Sequence, residues 1–162
     1  MGIKCINCGA NVSRHDQTCS YCGTENAEYQ PPDNQINVLL EKGLQAFQDE
    51  HIAEAVDCYN RIIDLDPDVF MAYFYLAAGY SKLNRPEEAI KAMEKAQAIR
   101  PGLAPVNYNL GILYKQAGRK EEAKMYFEKA LELCKTNPDM YDSSFKKTIE
   151  KALSEFKRWK LF

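Results

Sequence analysis

The sequence predicts an all-α fold: three helical hairpins of 34 residues stacked one on the next, closed by a capping helix and preceded by a small four-cysteine domain. Three observations predict it. Residue types recur with a period of 34 from Ile36 onward. Within each period, apolar residues fall at the spacing of helix faces. Ahead of the repeats, four of the six cysteines stand in two C-x-x-C pairs.

The period shows in frames that begin at Ile36, Phe70 and Ala104, with no insertion or deletion. Position 8 is then Gly43, Ala77 and Gly111, and position 19 is Glu54, Glu88 and Glu122. Position 20 is Ala55, Ala89 and Ala123, and position 24 is Tyr59, Met93 and Phe127. Position 27 is Ile62, Ala96 and Ala130, and position 30 is Leu65, Ile99 and Leu133. Position 32 is Pro67 and Pro101, with Lys135 breaking the pattern in the third frame.

Positions 4, 7, 8 and 11 share one face of a first helix, and positions 20, 24, 27 and 30 share one face of a second. Small residues at 8 and 20 let the two backbones approach, while large ones at 4, 11 and 24 fill the layers between. A turn near position 15, Gly118 in the third frame, joins the helices. Pro67 and Pro101 end their hairpins, because proline cannot continue a helix interior. One hairpin cannot bury its own apolar face, so the units must stack.

The run from Tyr108 through Leu110, Gly111 and Tyr114, followed by Gly118, Glu121, Glu122, Ala123, Phe127 and Ala130, resembles the tetratricopeptide repeat. Tyr73, Leu76, Ala77, Tyr80, Ala89, Ala96 and Pro101 carry the same resemblance in the second frame. The first frame departs from it at Lys42 and Ala46. The resemblance covers residues 36–137 and implies a right-handed superhelical stack. The expected organisation is a knuckle over 1–24, a linker over 25–35 around Pro31 and Pro32, repeats over 36–69, 70–103 and 104–137, and a capping helix over 138–162. That last helix shows Tyr141, Phe145, Ile149, Leu153 and Phe156 every three or four residues, with Lys146, Lys147, Lys151, Lys157 and Arg158 mostly between them. Trp159 reads as a packing residue.

Cys5 and Cys8 are separated from Cys19 and Cys22 by ten residues, and Gly9 and Gly23 follow the two pairs. Two thiolates at this spacing grip one side of a tetrahedral ion. The glycine lets backbone N–H groups fold back towards sulfur, and two such grips close an S4 site. The arrangement resembles a short zinc ribbon. Structural Zn2+ is the expected ion; iron is the lesser alternative, since rubredoxin-like sites use the same spacing. Residues 1–24 hold too little apolar material for a hydrophobic core, so metal binding is expected to supply most of their folding free energy. His15 reads as exposed loop. Cys58 and Cys134 belong to no motif and read as inert thiols.

Composition excludes several classes. Charged residues make up 27% and the net charge is −2, which argues against a bulk nucleic-acid binder. No apolar run reaches the length a membrane helix needs. The opening residues carry no apolar signal core, and the paired cysteines suit a reducing cytoplasm, so a cytoplasmic location is expected. No phosphate loop, H-E-x-x-H or G-x-S-x-G motif is present, and His15 and His51 are the two histidines. An enzyme is not expected.

In tetratricopeptide stacks the first helices line a concave groove, and the resemblance places positions 2, 5, 9 and 12, bordered by 6 and 13, along it. Here these include Asn37, Leu40, Leu44 and Phe47, then Met71, Phe74, Tyr75, Ala78 and Ser81, then Pro105, Tyr108, Asn109, Ile112 and Lys115. The set is apolar and aromatic. Members that grip acidic chaperone tails carry Lys, Asn and Arg at the clamp positions; this chain has Leu40, Leu44, Tyr75, Pro105 and Asn109 there. The expected partner is therefore a protein or peptide with an apolar segment, anchored by Phe74 and Tyr108, and not a chaperone C-terminal tail. The knuckle, the segment around Pro31 or a second copy of the chain can also cover such a face. The leading function is a protein-interaction adaptor. The alternative is a nucleic-acid-associated protein using the knuckle, with Lys4 and Arg14, and the basic last helix.

Overall fold

The computed structural model describes residues 3–30 and 34–158. Pro31, Pro32 and Trp159, singled out above, lie outside them. Among the described residues, seven helices follow a two-stranded ribbon: α1 (Asn34–Gln48), α2 (Ile52–Leu65), α3 (Phe70–Lys82), α4 (Pro86–Ile99), α5 (Ala104–Gln116), α6 (Lys120–Thr136) and α7 (Ser143–Arg158). The chain divides into two compact units, Met1–Pro101 and Gly102–Phe162.

The hairpins owe their form to position 15 of each frame. Glu50, Asn84 and Gly118 all sit there with positive φ, at 61°, 56° and 77°. A left-handed residue after a helix lets the next N–H reach back to the last turn. His51, Arg85 and Arg119 do so, donating to the carbonyls of Ala46, Tyr80 and Tyr114 at 2.8, 2.9 and 2.9 Å. Only the third site carries glycine, the residue that suffers least there. In the second and third turns the arginine also lies over a tyrosine ring of the preceding helix, Arg85 on Tyr80 and Arg119 on Tyr114. Each pairs with the glutamate three residues on, Glu88 and Glu122. The first hairpin lacks this device because Ala46 and His51 occupy the equivalent positions. Lys42, the other departure of that frame, pairs instead with Glu54 at 3.1 Å.

Within the first unit, the core runs between α1 and α2 and between α3 and α4. Tyr59, Ile62, Ala55 and Ala89 are fully buried. A β-carbon built on Gly43 would stand 2.7 Å from Tyr59 Cε1, and one on Gly79 2.7 Å from Val56 Cγ2. Glycine thus sets the approach of α1 to α2 and of α2 to α3. In the second unit, a β-carbon on Gly111 would meet the Phe127 ring at 2.7 Å. There α7 completes the core: Ile149 is fully buried, and Phe145 and Phe156 pack against Tyr108 and Phe127. Asp142 caps α7 by accepting the Phe145 N–H at 2.7 Å.

The knuckle is an antiparallel pair, β1 (Ile3–Lys4) with β2 (Asn11–Val12), in the register Ile3–Val12 and Lys4–Asn11. Two expectations are corrected here. The described part of that segment, residues 3–24, does form a small core, in which Val12 is buried with Cys5 and Cys19, and Ile3 and Ala10 pack on it. His15 is not an exposed loop residue; it is held at both ring nitrogens, as described below. Residues 25–30 are fastened back onto the knuckle. Asn26 Nδ2 donates to the carbonyls of Ser13 and Asp16, and the Gln30 N–H donates to the Arg14 carbonyl.

Candidate metal centre and binding face

The two C-x-x-C turns are copies of one another. Gly9 and Gly23 adopt φ of 71° and 70°. Their N–H groups donate to the carbonyls of Cys5 and Cys19, both at 2.9 Å. Cys5 and Cys19 in turn donate to the carbonyls of Ala10 and Thr24, both at 2.8 Å. The turns face each other, with Cys5 Sγ 3.6 Å from Cys22 Sγ and Cys8 Sγ 3.6 Å from Cys19 Sγ. All four sulfurs lie within 4.8 Å of one another. The 3.6 Å separation is far beyond a disulfide bond of about 2 Å. It matches the edge of about 3.8 Å expected for a tetrahedron with metal–sulfur bonds of about 2.3 Å. The four cysteines can therefore hold a metal ion.

The surroundings favour thiolate at Cys5 and Cys22, whereas at Cys8 the Ala10 backbone hydrogen bond is outweighed by burial and the neighbouring thiols, which push the thiol up to about 12. Hydrogen bonds from the Cys8 and Asn7 backbone lower the Cys5 thiol from its ordinary 9.0. The Thr24 hydroxyl, 3.2 Å away, and the Thr24 backbone lower the Cys22 thiol to about 6. Both effects come from donors aimed at sulfur, which stabilise its anion. Burial does the opposite to Cys58 and Cys134, whose thiols it pushes up. These two lie within hairpin cores and join no cluster of potential ligands among the described residues.

The turn between the cysteine pairs is bonded to the hairpins. Ser13 Oγ donates to the Asp68 carbonyl at 3.0 Å, and Arg14 Nη2 to Asp68 Oδ2 at 2.8 Å. His15 donates from Nδ1 to the Gln30 carbonyl at 2.8 Å, and its Nε2 pairs with Asp66 Oδ2 at 2.7 Å. Both ring nitrogens are thus engaged, one by a backbone carbonyl and one by a carboxylate. Burial works to raise the Asp66 carboxyl. The Asp68 N–H and the His15 ring outweigh it and hold the group below its ordinary 3.8. Asp16 pairs with Arg100 Nε at 2.9 Å, and the Arg100 guanidinium lies over the Phe70 ring. Sequence reasoning missed this contact. Its one legible sign was the run Arg14-His15-Asp16, rich in charge for a loop between ligands.

The groove positions of the first unit lie on α1 and α3. Leu40, Leu44, Phe47, Met71, Phe74 and Tyr75 are each half-buried. Phe74 packs against Phe70 and edge-on to Tyr75, which stacks on Tyr59 at 5.7 Å. A cavity of about 400 Å³ borders this face, lined by Asn37, Leu40 and Met71 on the helix side and by His15, Gln17 and Tyr29 on the knuckle side. In the second unit, Tyr108, Asn109 and Ile112 are also half-buried on α5. Tyr108 makes an edge contact with Phe145 at 5.5 Å, so α7 already covers part of that ring.

Residues 68–136 match the family model described as tetratricopeptide repeat. The peroxisomal targeting signal receptor of Kluyveromyces lactis is 31% identical over 86 residues, 53% of this chain and 15% of the receptor. The chain thus spans less than a fifth of that relative's length. Among solved structures, the type III secretion translocator chaperone SycD of Yersinia enterocolitica aligns with a TM-score of 0.73 at 16% identity. The alignment covers 81% of this chain and 98% of SycD, and shows likeness of fold. The second repeat domain of Spaghetti (RPAP3), solved bound to the HSP90 peptide SRMEEVD, aligns with a TM-score of 0.59 at 26% identity, over 62% of this chain and 93% of that one. No helix among the described residues is long and apolar enough to cross a membrane.

Proposed function

We propose that the chain, whose residues 68–136 match the tetratricopeptide-repeat model, is a tetratricopeptide-repeat protein and a non-enzymatic, cytoplasmic interaction adaptor that takes an apolar partner segment on the α1–α3 face. The observation that carries this reading is the row of large side chains at groove positions: Leu40, Leu44, Phe47, Met71, Phe74 and Tyr75, all half-exposed. A face of this kind gains by burying a helix or extended segment with matching apolar side chains. Tyr108, Asn109 and Ile112 are proposed to serve the same role on α5. The peptide-bound RPAP3 domain supports peptide capture by this fold. Its HSP90 peptide is acidic, however. The clamp positions here hold Leu40, Leu44, Tyr75 and Pro105, which offer an acidic tail no cation, so chaperone tails are not the proposed partner.

The knuckle is proposed to hold a structural zinc ion on Cys5, Cys8, Cys19 and Cys22. Four protein ligands leave no open coordination position for a substrate. Zinc is preferred to iron because nothing in the chain supplies a redox partner or a second cofactor. The nucleic-acid alternative loses ground because Arg14, one of the knuckle's two basic residues, is engaged by Asp68.

Affinity capture with the wild type beside Phe74→Glu and Leu44→Glu tests the adaptor reading. Both variants should keep their helical circular dichroism and lose the partner. Capture unchanged in both would refute the groove. Metal analysis of the purified chain tests the ion, since iron on four thiolates is coloured and zinc is not.

A further inference from the structure

We propose that the metal knuckle is a strap across the first two hairpins, so that metal loading governs the stability of the repeats and not of the knuckle alone. Asp66 and Arg100 stand at the same place, position 31, of successive repeats. Each is the residue that ends its hairpin's second helix, the C-cap of α2 and of α4. They carry opposite charges, and two consecutive knuckle residues meet them, a histidine ring nitrogen at the carboxylate and a carboxylate at the guanidinium. His15 takes Asp66 and Asp16 takes Arg100. Arg14 and Ser13 add Asp68, in the loop between the hairpins. One four-residue turn thus fastens both hairpin ends and the loop that joins them.

The pairs are sheltered. Side-chain exposure is 13% and 17% for His15 and Asp66, and 27% and 10% for Arg100 and Asp16. Salt and water screen such pairs less than surface pairs. The turn that supplies them runs from β2 towards Cys19; Asn26 and Gln30 bond its backbone, but both ends of it lead into the metal ligands. The knuckle core is three buried side chains with two half-buried ones. Four thiolates brought within 4.8 Å of one another repel unless a cation or protons neutralise them. Loss of the ion therefore loosens the turn, and a loosened turn cannot present Arg14, His15 and Asp16 in register with partners 34 positions apart. Linkage requires the converse as well: hairpins that hold the turn raise the affinity of the site for its metal. The strap also forms one wall of the cavity beside Leu40 and Met71.

This inference rests on the metal-site reading above, and the test separates the two. The full-length chain is loaded with cobalt(II), whose thiolate charge-transfer absorbance reports site occupancy directly. Thermal unfolding is followed by helical circular dichroism, to which the knuckle contributes little. Loaded wild type should unfold at least about 2 °C above the metal-stripped chain, the least movement that roughly 1 kcal/mol produces in a chain of this length. In the double variant Arg14→Ala, Asp16→Ala the cobalt spectrum and stoichiometry should persist while the loaded and stripped midpoints converge. Changing the knuckle side spares the C-cap residues, whose loss can unsettle the helices directly. Cobalt bound with no shift in the wild type overturns the strap but leaves the metal site standing. A shift retained in full by the double variant overturns it too. A chain that takes up no cobalt refutes both readings, and the absorbance alone shows it.

Discussion

Gly43 lies against the Tyr59 ring so closely that a β-carbon on Gly43 would stand 2.7 Å from Cε1 and 3.1 Å from Cζ. The ring is fully buried and stacks on Tyr75 of the next hairpin, so it has nowhere to retreat. Gly43→Ala should therefore destabilise the chain by about 1–3 kcal/mol, the usual cost of overpacking. Urea unfolding followed by circular dichroism measures it, and a change within a few tenths of a kcal/mol would show that the two helices can part freely.

The Tyr59 hydroxyl is buried with no hydrogen-bond partner among the described residues. Burial also pushes its ionisation up to about 12. An unsatisfied buried hydroxyl costs about 1–3 kcal/mol of desolvation. Tyr59→Phe keeps the ring and removes the oxygen, so it should raise the urea midpoint. A lowered midpoint would mean that the hydroxyl finds a partner.

Glu50 holds a left-handed conformation that Gly118 adopts in the equivalent turn without penalty. Such a conformation costs a side-chain-bearing residue roughly 1–2 kcal/mol. Glu50→Gly should stabilise the first hairpin by up to about 1 kcal/mol, after the entropy that glycine adds to the unfolded chain. Gly118→Ala should do the reverse. Chemical denaturation of the two variants side by side checks both signs.

Thiol chemistry should divide the six cysteines into two classes. In the metal-loaded native chain all should react slowly with an alkylating reagent. Adding a chelator should release Cys5, Cys8, Cys19 and Cys22, with Cys22 fast because its thiol is lowered to about 6. Cys58 and Cys134 are buried with raised thiols and should wait for denaturant. Mass spectrometry of modified peptides resolves the sites. Rapid labelling of Cys58 in the native state would contradict its burial.

Much of the fold was legible because the repeat is written in residue types that packing alone selects. Glycine or alanine at position 8 faces a large side chain at position 24, and both Gly43–Tyr59 and Gly111–Phe127 are close contacts. The cysteine site was equally open to reading, since its chemistry is local and each C-x-x-C-Gly turn folds by its own hydrogen bonds. What resisted was the long-range polar contact. Nothing in Arg14, His15 and Asp16 names Asp68, Asp66 and Arg100, each more than 50 residues away. Charges on loops are usually solvated, and only the folded chain shows these to be paired. The left-handed backbone at Glu50 was hidden for a different reason. Glutamate carries no sign of positive φ, and only its phase with Gly118 betrays it.

The opposite charges at Asp66 and Arg100 give the first two hairpins an address. In an ideal repeat array neighbouring modules can be exchanged, duplicated or reordered without offence, because each presents the same surface. Here, transposing the first two modules would set Arg100 against His15, a ring in place of its carboxylate partner, and Asp66 against Asp16, carboxylate facing carboxylate. Inserting an extra module between them would carry one attachment point out of reach. The chain's N-terminal end is thus numbered by its own electrostatics, and recombination or redesign that treats its modules as equivalent should fail there first.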